Sequence, residues 1–144
     1  MPQSNFILTT ITSTLISSFF SVIITIFINK HNSDAKRKEQ LIINACKDIE
    51  DIELYMVQYW SLEGNDTFIS SRIVSKLHHL LSDIKRVNNN LIFTKNFDSA
   101  YLKFKNAGTG GGFQTASKTI DIKRIDSITF SADELRNMLM DCIS

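Results

Sequence analysis

The sequence predicts an all-α chain in two parts, an N-terminal tail and transmembrane helix over residues 1–29 and a small cytoplasmic helical bundle over residues 30–144. Three observations predict it. Residues 6–28 contain no charge, no side-chain amide, no proline and no glycine. The first charged side chain is Lys30, so fifteen of the sixteen basic residues and all fifteen acidic ones follow it. Beyond that point apolar residues return at spacings of three and four, the signature of helices that each bury one face.

The N-terminal element comes first. At about 1.5 Å per residue, residues 6–28 form a helix of roughly 35 Å, set against a hydrocarbon core of about 30 Å. The preceding residues hold no basic side chain and no small-residue cleavage site precedes Lys30, which favours an uncleaved span over a signal peptide. Lys30, Lys36, Arg37 and Lys38 crowd the C-terminal flank. By the positive-inside bias, this expects a single-pass inner-membrane protein with its N-terminus outside and its C-terminal part cytoplasmic.

Within that run every residue that is not large and apolar is Ser or Thr. Thr10, Ser13, Thr14, Ser17, Ser18, Ser21 and Thr25 fall within a sector of about 140° when residues are placed at about 100° intervals. Two environments suit such a stripe. Small hydroxyl residues let helices approach closely and bond across the contact; alternatively, several copies form a ring whose uncharged faces line a channel. A plain anchor with chance clustering is the third reading. The pore-lining or helix-packing candidates are Thr10, Thr14, Ser17, Ser18, Ser21 and Thr25.

The charged segment of residues 31–40 has no helix breaker, so the first helix is expected to run on through it. Ile42, Ala45, Ile49, Ile52, Met56 and Tyr59 then form a core-facing stripe. Asp48, Glu50, Asp51 and Glu53 spread around the same helix and read as a solvated face, not as metal ligands. A turn rich in capping residues spans 61–67. A second helix carries Ile69, Ile73, Leu77, Leu80, Ile84 and Val87 and ends in the asparagines at 88–90. A third covers residues 96–106, with Phe97, Tyr101 and Phe104 on one face.

Four of the five glycines lie in residues 108–112. Phe113 and Gln114 follow where a phosphate loop requires Lys and Ser or Thr, so a flexible connection is expected there. Ile120 and Ile122 alternate like a strand, and residues 115–130 fit neither period well. Ser131 and Glu134 have capping-box spacing and predict a last helix opening at Ser131, with Leu135, Met138, Leu139 and Cys142 on one side.

Composition excludes several classes. Two cysteines, Cys46 and Cys142, do not make a disulfide-stapled miniprotein. Residues 31–144 balance fifteen positive against fifteen negative charges, so charge does not indicate a nucleic-acid partner. No Cys/His ligand spacing, dinucleotide fingerprint or nucleophile elbow is present, and no metal or cofactor is expected. One pattern has catalytic content. Arg72 and His79 lie seven apart on the second helix with Lys76 and Asp83 on the same flank, and His78 precedes His79. An arginine that holds a phosphate and a histidine that moves a proton are what RNA cleavage through the 2′-hydroxyl requires.

Arg72 with His78 or His79 resembles the loose Arg-x4–6-His motif of HEPN domains, although Ile73 stands where those motifs commonly carry a polar residue. The whole layout resembles the small accessory proteins of type VI-B CRISPR systems, in which a membrane helix precedes a HEPN-like bundle. The resemblance implies a dimerising or ring-forming helical bundle, a membrane pore and, where the motif is active, RNA cleavage. The resulting expectation is a homo-oligomeric membrane protein that permeabilises the bacterial inner membrane as a defence or toxin effector, with a cytoplasmic defence partner. Its rivals are a membrane-tethered HEPN-type ribonuclease and a membrane-anchored scaffold or sensor.

Overall fold

A computed structural model describes the backbone of residues 3–88 and 96–143, and side chains within residues 20–86 and 97–143. The described residues hold four helices and no strand: α1 (Gln3–Trp60), α2 (Thr67–Asn88), α3 (Asn96–Thr109) and α4 (Ile122–Met140). By compactness they divide into two units, Met1–Arg37 and Lys38–Ser144.

The second unit is the bundle, and its core follows the expected stripes. Ile42, Ala45, Ile49, Ile52, Met56 and Tyr59 of α1 are fully buried, joined by Ile73 and Leu80 of α2, Phe104 of α3, and Ile128, Ala132, Leu135 and Leu139 of α4. Because these residues recur every three or four positions, each helix turns one continuous apolar face inward. Burial of a large side chain contributes about 1.5–3 kcal/mol, so this shared core is the main force holding the helices together.

α1 is long because nothing in residues 3–60 interrupts it: there is neither proline nor glycine. It stops where Gly64 takes a left-handed φ of 74° and donates its N–H to the Lys118 carbonyl at 2.8 Å. Asp66 then opens α2, its carboxylate accepting from the Ile69 N–H at 2.9 Å, which satisfies one of the orphan donors of the first turn. α3 ends in the glycine-rich stretch, where Gly111 has a φ of 61°.

The structure corrects three expectations. Among the described residues no helix is long and apolar enough to cross a membrane, which overturns the transmembrane helix of the predicted fold class and the single-pass inner-membrane location. The apolar stretch with described side chains covers residues 20–28, about 13 Å of helix against a core of about 30 Å. Lys30, Asp34, Lys36, Arg37, Lys38 and Glu39 then follow on the same helix. The rest of the expected span, residues 6–19, lies outside the residues whose side chains are described.

The second correction concerns residues 120–122, which form no strand. Ile120 is exposed, and Ile122, also exposed, begins α4. Third, Ser131 does not cap a helix. It lies buried inside α4, donating its hydroxyl to the carbonyls of Ser127 and Ile128 at 2.7 and 3.1 Å. The cap is Asp121, whose backbone is extended (φ −131°, ψ 91°) and whose carboxylate accepts the Arg124 N–H at 3.0 Å. An early cap won because Asp121 is followed by residues that place Ile128 on the buried face together with Ala132 and Leu135.

Candidate functional site

The richest cluster of chemistry lies on the seam between α1 and α2. Asp51 of α1 receives Lys76 of α2 at 2.8 Å, and one turn earlier on α1, Asp48 faces His79, one turn later on α2. This register makes the two segments antiparallel. It also places a carboxylate of α1 beside the imidazole that the sequence singled out.

His79 is met from both sides. Its Nδ1 lies 3.4 Å from Asp48 Oδ2 and 3.3 Å from Asp83 Oδ2, the latter one helical turn away on α2. The ligand atoms of Asp48, His79 and Asp83 all lie within 4.8 Å of one another. The imidazole is exposed, whereas the carboxylates are mostly covered, with side-chain exposures of 26% and 13%. Asp83 turns its other oxygen, Oδ1, to Arg86 at 3.4 Å. The backbone beneath is held by the buried neighbours Ile49, Leu80 and Ile84.

The remaining sequence candidates have other surroundings. Arg72 is exposed and its guanidinium lies 5.0 Å from the centre of the Phe68 ring. His78 is exposed. Arg72 and His79 are separated by two turns, about 10 Å along the axis, and take different partners. Ser21 and Thr25 are exposed, and Thr25 folds its hydroxyl back onto the Ser21 carbonyl at 2.8 Å. That bond lies within one helix, so this hydroxyl already has a partner without any second helix. Thr10, Thr14, Ser17 and Ser18 lie outside the residues whose side chains are described.

The glycine-rich stretch is a tied junction. Arg124 donates to the carbonyls of Ala107 and Gly110 at 3.1 and 3.0 Å while its guanidinium lies 4.4 Å from the Trp60 ring centre. Trp60 in turn donates its indole N–H to the Gly108 carbonyl at 2.8 Å. The carbonyls here are occupied by protein donors, which fits a structural joint.

Sequence reasoning placed His79 and Asp83 on one flank of α2 but did not bring Asp48 to them. Of Asp48, Glu50, Asp51 and Glu53, Asp48 and Asp51 both face α2 whereas Glu53 meets Arg136 of α4. The missing element was the α1–α2 register, which chooses Asp48 from that set. Comparison with protein-family models, with curated proteins and with solved structures finds no match.

Proposed function

We propose that this protein is a self-associating helical scaffold, in which the bundle is the folded module and the apolar stretch of α1 is the contact through which copies assemble. The observation that carries the reading is the exposure of seven large apolar side chains in that stretch: Phe20, Val22, Ile23, Ile24, Ile26, Phe27 and Ile28. Phe27 is 72% exposed, and Phe20 and Ile26 are each 61% exposed. A contiguous apolar surface of this kind marks an interaction site.

Magnitudes are compatible with an assembly. Because each is about half to three-quarters exposed, complete burial of these seven side chains is worth on the order of 6–12 kcal/mol, at about 1.5–3 kcal/mol for a fully exposed one. Association costs about 4–15 kcal/mol. At about 100° per residue the seven positions cover roughly 240° of the helix, leaving the sector of Ser21 and Thr25, so one neighbour covers only part of them. More than two copies are therefore expected. A second copy of this chain is the occupant that matches the stretch in length and polarity wherever the protein is present. The pore and defence-effector expectations depended on the transmembrane helix and are set aside with it.

Light scattering on the full chain after size-exclusion chromatography tests the reading. The wild-type chain is expected to elute as an assembly of more than two copies. The triple variant Phe20→Glu, Ile24→Glu, Phe27→Glu should be monomeric with an unchanged bundle, judged by circular dichroism and Tm. A monomeric wild-type chain overturns the proposal, as does a chain that floats with phosphatidylcholine vesicles as a monomer.

A further inference from the structure

We propose that Asp48, His79 and Asp83 form a binding site for a divalent transition-metal ion of the zinc class, which would clamp α1 to α2. The inference rests on the bundle alone and is independent of self-association.

The donor set comes first. One imidazole nitrogen and two carboxylate oxygens suit zinc, cobalt and nickel, whereas magnesium and calcium favour all-oxygen surroundings. Metal–ligand bonds of about 2.0–2.2 Å in a tetrahedron give ligand-to-ligand edges of about 3.3–3.5 Å. The two edges from His79 Nδ1, 3.4 Å to Asp48 Oδ2 and 3.3 Å to Asp83 Oδ2, already have that length. The third edge lies within the 4.8 Å that holds for all three ligand atoms, so an ion would draw the Asp48 and Asp83 carboxylates toward each other to close the face. The exposed side of His79 leaves the fourth position to water, as in sites with three protein ligands.

These contacts are also poor substitutes for direct hydrogen bonds. N–H···O bonds fall at about 2.7–3.2 Å, and both contacts exceed that range. As arranged, two carboxylates share one nitrogen at metal-edge distance without either being closely bonded to it. A divalent cation would neutralise both. Arg86, on the Oδ1 side of Asp83, is placed to orient that carboxylate from the outer shell while Oδ2 ligates. The ligands stand on two helices whose neighbouring residues are buried, so the site is supported by the core.

Calorimetric titration of zinc chloride into the metal-stripped full chain tests the proposal, with cobalt chloride as a spectroscopic probe. One saturable ion per chain is expected, with a raised Tm and the visible absorption of low-symmetry four-coordinate cobalt. His79→Ala and Asp83→Asn should each weaken zinc binding by about tenfold or more. His78→Ala should leave it unchanged, and the metal-free Tm of every variant serves as the folding control. Where His79→Ala lowers the metal-free Tm, Asp48→Asn carries the test in its place. Absence of saturable zinc binding, undiminished binding by the ligand variants, or equal affinity for magnesium chloride would each overturn the assignment.

Discussion

Single residues join the helices of this bundle, and Lys118 illustrates how. It is a buried lysine whose ammonium donates to the Tyr59 carbonyl at 2.8 Å and to the Leu62 carbonyl, and lies 4.6 Å from the centre of the Tyr59 ring. A cation at the last carbonyls of α1 complements the negative end of the helix dipole. Burial pushes its pKa down, with Glu63 opposing. Tyr101 makes the equivalent join between α3 and α2, donating its hydroxyl to the Leu77 carbonyl at 3.1 Å. Burial raises the Tyr101 pKa above its ordinary value. The unfolded chain therefore loses the phenolic proton first, and the stability Tyr101 contributes, complete below about pH 10, is lost as pH rises through the folded value. Tyr101→Phe is expected to cost about 1 kcal/mol at neutral pH through the lost hydrogen bond. The deficit should shrink as pH rises above about 10, where only the wild-type chain carries this alkaline loss. Urea unfolding of both proteins across that range measures it. A deficit that stays constant would remove the phenol from the alkaline response.

At the scale of the element, α4 shows why a capping pattern is read correctly only together with the face that it starts. Ser131 and Glu134 have the spacing of a capping box, yet Ser131 is an interior residue bonded to carbonyls of the preceding turn. The first turn belongs to Asp121. Asp121→Ala is therefore expected to destabilise the protein by about 1 kcal/mol, within the usual range for lost N-caps. Ser131→Ala should change it by less than about 0.5 kcal/mol, since alanine has the better helix propensity and the hydroxyl bonds only its own helix. Thermal or urea unfolding ranks the two directly. The reverse order would restore the start of the helix to Ser131. The same lesson applies to α3 and α1, whose junction includes Gly108. A β-carbon there would run into the buried Met56 side chain, which would have to move for the two helices to keep their approach.

For the whole molecule, the division at Arg37 and Lys38 makes a further prediction. Among the described residues, every buried core residue lies within Lys38–Ser144. A fragment of residues 38–144 is expected to unfold in one cooperative transition, with a Tm close to that of the bundle in the full chain, and to remain monomeric at concentrations where the full chain assembles. Calorimetry and light scattering on the fragment provide the check, and a fragment that fails to fold would show that the bundle depends on the first unit. The balanced charge of residues 31–144 contributes to this organisation through paired contacts between helices. Arg136 of α4 meets Glu53 of α1 at 2.7 Å, and Lys103 of α3 meets Glu134 of α4 at 2.6 Å. The exposed Lys103–Glu134 pair adds little stability by itself, whereas Arg136 and Glu53 are largely covered, and both pairs help set which helix faces which.

The sequence by itself determined the helical class, the inward faces of the first three bundle helices and the turn between α1 and α2, because apolar spacing of three and four, glycine and the capping residues act within a few positions of one another. It also marked His79 and Asp83 as neighbours, since residues four apart meet on any helix. It misread residues 6–28 as a membrane span and Ser131 as a cap, because hydropathy and capping patterns do not state which larger structure they serve. Only the tertiary structure decided that Asp48, and not Glu50, Asp51 or Glu53, stands beside His79. That choice belongs to the register of α1 against α2, which is set by the packing of Ile49, Ile52, Leu77 and Leu80 in a core that no local stretch of sequence contains.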